Sequence, residues 1–137
     1  MPEVLSVEEI DAIEGVIDVS TPEGQRDRAA IEMLYSCGLR VSELCNLLLS
    51  DLFLDEGFLR VTGKGNKQRL VPISERAIRE LKSWFAFRNF INIKPGEEDY
   101  VFISAARKKH LSRITVFHNI KVYAEQADIQ KTISPHT

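Results

Sequence analysis

The feature that most constrains this chain is a change of apolar period near residue 52 and a change back near residue 74. Before it, apolar side chains recur every three or four positions: Val7, Ile10, Ile13, Val16 and Ile17, then Ala29, Ala30, Met33, Leu34 and Cys37, then Leu44, Leu47 and Leu48. That spacing gathers each set on one face of a helix. Between the two changes the pattern is different. Leu52-Phe53-Leu54, Phe58-Leu59-Arg60-Val61-Thr62 and Gln68-Arg69-Leu70-Val71-Pro72-Ile73 are short runs rich in aromatic and β-branched residues. Asp55-Glu56-Gly57 and Gly63-Lys64-Gly65-Asn66-Lys67 separate them. Runs and spacers of this kind predict a three-stranded antiparallel sheet with tight turns. So small a sheet is marginal alone and has to lie against the helices. The helical period then returns in Ile78, Leu81, Trp84 and Phe85 and, after the apolar run Tyr100-Val101-Phe102-Ile103, in Val116, Ile120, Tyr123, Ala124 and Ala127. The predicted fold class is mainly α with a small antiparallel three-stranded β-sheet.

Punctuation agrees with the periods. Ser6 and Glu9 form a capping box ahead of a helix over about 7–18. Thr21-Pro22-Glu23 supplies a cap, a proline at the first helical position and an acid in the first turn, and Gly38 ends that second helix. A third helix starts near Val41, and Ser74 and Ser112 cap a fourth and a fifth. At 137 residues the chain has room for one domain. Cys37 and Cys45 have no partners at metal-ligand spacing and read as buried thiols of a reducing compartment. No apolar run reaches the roughly 18 residues of a membrane span, and Met1-Pro2-Glu3 opens no secretion signal. No membrane association is expected, and the expected location is the cytoplasm. Tyr35 and Tyr123 read as core residues with solvated hydroxyls.

The net charge of −2 hides an uneven distribution. Residues 1–56 carry thirteen acids and three bases, Arg26, Arg28 and Arg40, whereas residues 57–88 carry eight bases and two acids, Glu75 and Glu80. A basic segment inside an acidic chain can make a local anion-binding surface, provided that folding does not lay the acids alongside. Three places could carry chemistry. Arg40 stands between the glycine that ends one helix and the start of the next, so its planar fork can be aimed at a phosphate with little entropy loss. Glu43 could hold that fork; by spacing alone the pair reads first as an ordinary surface contact. Lys64 lies between glycines at a hairpin tip, where an ammonium can approach a polyanion and donate a proton, or simply remain solvated. Arg107-Lys108-Lys109, ahead of the Ser112 cap, suits backbone phosphate contact or a solvated loop. The glycines do not fit a nucleotide-binding Walker A loop, because five residues separate Gly57 from Gly63-Lys64 where four are required. His110 and His118 have no carboxylate or thiol at a metal-ligand offset and read as surface or structural residues.

The stretch Leu34-Tyr35-Ser36-Cys37-Gly38-Leu39-Arg40-Val41-Ser42-Glu43-Leu44 resembles the first signature box of the tyrosine recombinases, in the form closest to Xer-type resolvases and related integrases. The segment Arg60-Val61-Thr62-Gly63-Lys64-Gly65-Asn66-Lys67-Gln68-Arg69-Leu70-Val71-Pro72-Ile73 is similar to that family's lysine-bearing β-hairpin. Ile133-Ser134-Pro135-His136-Thr137 is similar to the opening of its His-x-x-Arg box, and Glu23-Gly24-Gln25-Arg26-Asp27-Arg28-Ala29 to its approach to the first box. The resemblance implies that Arg40 grips the scissile phosphate and that Glu43 supports it. It implies that Lys64 protonates the departing 5′ oxygen and that His136 assists proton transfer. From the basic stretches themselves, and not from the resemblance, Lys67, Arg69, Lys108 and Lys109 are expected DNA contacts. The implied partners are double-stranded DNA and further recombinase protomers; no metal or nucleotide cofactor is implied.

The same resemblance implies a second arginine three residues after His136, a later histidine or tryptophan, and a nucleophilic tyrosine. None of these falls within the 137 residues, and Tyr35, Tyr100 and Tyr123 lie in the wrong context to replace the nucleophile. The expectation is a partial catalytic domain over 1–137, lacking an amino-terminal DNA-binding domain. It should neither cleave nor join DNA by itself, should bind DNA weakly, and should tend to self-associate through uncovered apolar surface. A non-catalytic DNA-binding or interaction module on the same helices is the alternative.

Overall fold

Side-chain caps set the start of every long helix in the computed structural model, which describes residues 5–131. Ser6 Oγ accepts the Glu9 N–H while Glu9 returns a bond to the Ser6 N–H, opening α1 (Val7–Gly15). Thr21 Oγ1 accepts the Gly24 N–H at the head of α2 (Pro22–Ser36), and Gly38, at φ +65°, turns the chain out of it. The short α3 (Val41–Cys45) follows. Ser74 and Ser112 cap α4 (Glu75–Arg88) and α5 (Arg113–Gln126) by the same kind of bond.

The sheet joins β1 (Leu52–Phe53), β2 (Phe58–Thr62) and β3 (Gln68–Pro72) in the order β1-β2-β3, antiparallel throughout. Its register pairs Leu59 with Val71, Val61 with Arg69 and Thr62 with Gln68. Leu59 and Val61 turn inward and are buried, whereas β3 contributes only the half-buried Val71 to the interior and is otherwise exposed. The core lies between α2, α4 and α5, filled by Met33, Leu44, Leu81, Trp84 and Phe102. The Trp84 indole N–H donates to the Val101 carbonyl at 2.9 Å, so the largest apolar group is also fixed in orientation.

The expected mainly helical architecture with its three-stranded sheet is therefore present, and the departures are local. The first helix stops at Gly15, because the Val16 and Ile17 N–H groups bond three residues back and tighten the last turn. The third helix is a single turn; Leu47 is buried beyond it, and Leu48 pairs with Tyr100. A second hairpin, β4 (Ile103–Ser104) with β5 (Lys109–His110), has two residues per strand, too few to leave a period in the sequence. The Tyr123 hydroxyl has a partner in the fold, in place of water alone: it donates to Asp27 Oδ2 at 2.6 Å, and Asp27 also pairs with the buried Arg26. His110 is structural, stacked on Tyr100 and 2.7 Å from Glu97. Large exposed apolar side chains (Val7, Leu70, Phe90, Ile114) are dispersed over different elements. No described helix is long and apolar enough to cross a membrane.

Candidate active site

Backbone geometry at the α2–α3 junction fixes Arg40. Gly38 reverses the chain, the Leu39 N–H closes onto the Leu34 carbonyl at 3.0 Å, and Arg40 then caps α3 in extended conformation at φ −75°, ψ 151°. Glu43, one turn on, accepts the Arg40 N–H at 2.9 Å. The main chain of Arg40 is thus held at both sides while its side chain projects outward and is exposed.

Lys64 is carried by the β2–β3 hairpin. Gly63 donates its N–H to the Lys67 carbonyl at 2.8 Å, and residues Lys64–Asn66 make one tight turn in which Gly65 and Asn66 both take positive φ. Most side chains with a β-carbon are strained in that conformation; glycine avoids the clash and asparagine is among the residues that tolerate it best. Gly63 meets a different demand. A β-carbon there would lie 3.2 Å from Glu43 Oε2 and 3.4 Å from Arg69 Nη1, so the hairpin base sits directly on those side chains.

Glu43 does not hold the Arg40 fork, as the sequence led one to expect. It takes the Arg40 backbone N–H and the guanidinium of Arg69, whose Nη1 and Nη2 donate at 2.8 and 3.0 Å. The Arg69 guanidinium, followed by the Arg40 N–H and nearby positive charge, holds the Glu43 carboxyl below the usual range despite its burial. Arg69, read from charge alone as a DNA contact, is therefore engaged by a carboxylate.

The acidic first third does fold onto the basic middle segment, and selectively. Asp51 pairs with Arg60, Glu43 with Arg69, and Asp11, Glu14 and Glu32 with Arg76. Among the described residues no ion pair engages the side chains of Arg40, Lys64 or Lys67. Arg40, Ser42, Glu43 and Asn46 from one side and Thr62, Gly63 and Lys64 from the other line one open cleft of about 330 Å³. Two cations without carboxylate partners facing a common space make an anion site, and the hydroxyl and amide of Ser42 and Asn46 add hydrogen-bonding capacity. The sequence did not single out those two, although the four-residue spacing stacks Asn46, the residue that closes α3, on the same side as Ser42. Lys67 is exposed beside the same hairpin turn. Lys108 and Lys109 are exposed on the β4–β5 hairpin and do not line this cleft. His136 lies outside the described residues.

Residues 3–137 match the phage integrase family. The chain is 40% identical to the tyrosine recombinase XerD of Pseudomonas putida, across all of this chain and 46% of that protein. Among solved structures it superposes on the XerA recombinase with a TM-score of 0.81 and 32% identity, over 98% of this chain and 46% of that one. A post-cleavage complex of the XerH site-specific recombinase with a palindromic difH substrate has the same fold, with a TM-score of 0.81 and 23% identity, over 96% of this chain and 38% of that one. The chain spans less than half the length of these relatives.

Proposed function

The chain belongs to the phage integrase family, and from that premise we propose that it is the front part of the catalytic domain of an Xer-type site-specific recombinase. The enzyme cuts and rejoins DNA strands through a 3′-phosphotyrosine, on double-stranded DNA and in assemblies with further protomers. One observation carries the reading: the unpaired guanidinium of Arg40 and the unpaired ammonium of Lys64 open onto a single cleft. Phosphoryl transfer needs positive groups placed beforehand around a phosphorus that gains negative charge, and each such group commonly contributes about two to three orders of magnitude in rate.

A tyrosine hydroxyl supplied by the rest of the protein bonds to phosphorus and passes its proton to the His136 imidazole, which returns it when the tyrosine is released. The P–O5′ bond breaks, and Lys64 passes a proton to the leaving 5′ oxygen, becoming a neutral amine. Arg40 stays bound to the nonbridging oxygens. Attack by a 5′ hydroxyl of another strand reverses these transfers and frees the tyrosine. Within 1–137 nothing in the right context supplies the nucleophile, so the isolated chain binds DNA without reacting. Lys67, Lys108 and Lys109 add phosphate contacts outside the cleft.

The test is a nicked suicide DNA substrate, which traps a covalent intermediate. The longer polypeptide containing this chain should form the adduct. Arg40→Ala should suppress it by about two to three orders of magnitude, and the 137 residues alone should form none. An adduct on the isolated chain, or full activity in the Arg40→Ala protein, overturns the reading. Affinity of the isolated chain for duplex DNA should fall with salt at a logarithmic slope of about −4.5, as five phosphate contacts require. A slope near zero contradicts those contacts.

A further inference from the structure

Little that is apolar ties β3 to the rest of the molecule: the half-buried Val71 packs against the core, whereas Gln68, Arg69, Leu70 and Pro72 are exposed. The turn from Lys64 to Lys67 is exposed throughout. Among the described residues, the ladder with β2 and the Val71 contact apart, this side of the hairpin is held to the helical body by the Arg69 fork on Glu43. The Glu43 side chain is 7% exposed, so water cannot easily replace the fork, and the carboxylate that receives it also receives the Arg40 backbone N–H. Gly63 closes onto the same pair, one residue before Lys64. A single carboxylate therefore joins the backbone that aims Arg40 to the strand that carries the lysine.

We propose that Arg69 is a positioning residue: through Glu43 it sets where the Lys64 tip stands relative to Arg40, and it makes no contact with DNA. The bidentate geometry is what fits it for this. Two parallel N–H bonds fix direction as well as distance, which a lysine at the same place cannot do. A proton donor displaced by about an ångström loses roughly a hundredfold in rate. Disruption of the clasp should therefore appear at the step in which Lys64 acts, with the initial grip on the phosphates unchanged.

The inference rests on the recombinase reading above, and one experiment separates the two. The longer polypeptide containing this chain is assayed for covalent adduct on two duplexes, one ordinary and one with sulfur in place of the bridging 5′ oxygen at the scissile phosphate. The thiolate departs without a proton, so this substrate bypasses Lys64. Arg69→Lys keeps the charge and loses the fork; Arg69→Ala loses both. On the ordinary duplex both variants should react about 10- to 100-fold more slowly than the parent. On the sulfur duplex both should approach the parent rate, with DNA affinity and its salt slope unchanged.

Equal slowing on both duplexes would mean that Arg69 serves the fold and not the lysine, and would overturn the proposal. So would an Arg69→Lys protein with parent rates beside an Arg69→Ala protein whose salt slope drops by about one, the mark of a phosphate contact. A parent protein that forms no adduct on either duplex refutes the recombinase reading, and this inference with it.

Discussion

Replacing Glu43 by Gln keeps the shape of the side chain and removes the charge on which the clasp depends. The carboxylate accepts three N–H groups, one from the Arg40 backbone at 2.9 Å and two from Arg69 at 2.8 and 3.0 Å. The amide oxygen of Gln can keep the Arg40 bond, but its NH₂ then faces a guanidinium that offers only donors. Two hydrogen bonds to charged groups are lost, each worth about 1.5–3 kcal/mol. The Arg69 side chain is 45% exposed and recovers much of this from water, which halves the figure. The net expectation is about 2 kcal/mol, or a melting temperature lowered by roughly 6–8 °C in a domain of this size. Urea and thermal unfolding of the isolated chain at neutral pH measure it. Acid supplies an internal control. The folded-state pKa of Glu43 lies below its ordinary value of 4.5. The stabilisation is therefore complete above that value and disappears as pH falls through the depressed one. Parent and Glu43→Gln curves should converge in acid. Equal stabilities at neutral pH, or a deficit of constant size down to pH 3, would refute the clasp as an energetic tie.

Gly24→Ala should destabilise the chain although it replaces glycine inside a helix. The new β-carbon would fall 1.8 Å from the Asp18 carbonyl oxygen and 2.9 Å from Thr21 Oγ1; the backbone shift costs about 1–3 kcal/mol or more against a propensity gain of about 1. A rise in the urea midpoint would contradict that packing. Burial, reinforced by the facing Glu32, pushes the Glu14 carboxyl up to about 8, against the opposing effect of Arg76 and Arg28. A folded-state value raised above 4.5 means that the ionised form is disfavoured in the fold. The parent should therefore lose stability relative to Glu14→Gln as pH rises from about 4.5 to 8, and parallel melting curves over that window would speak against it. Tyr123→Phe leaves the buried Asp27 short of one donor and should lower stability by about 1 kcal/mol in urea unfolding; no change would show that the Asp27 bond contributes nothing net.

The helices and the three strands were legible because each buries one face, and burial imposes a period. Ser6, Thr21, Ser74 and Ser112 mark their starts, since orphan N–H groups need a partner nearby in sequence. The β4–β5 hairpin was not legible, because two-residue strands set no period. In the site, the positions of Arg40 and Lys64 could be read from the glycines around them, which are local. The partner of Arg69 could not. It is 26 residues away along the chain, and an arginine in a basic segment looks the same whether it faces solvent, a phosphate or a carboxylate. The same limit hid how the acids are assigned: linear charge gives the balance of a segment, and only folding decides which cations stay unpaired. Asp51 neutralises Arg60, Glu43 neutralises Arg69, and Asp11 and Glu32 face Arg76, and the surface left positive is smaller and more sharply placed than the sequence suggested.

The convergence of Arg40 and Lys64 on one phosphate is open to direct measurement in the isolated chain. The side-chain nitrogen resonances of both residues can be followed by NMR while inorganic phosphate is added. Both should move along a single binding curve, and Arg40→Ala should weaken the response at Lys64. Movement of one resonance without the other, or two curves with unrelated midpoints, would mean that the cleft does not hold a shared phosphate.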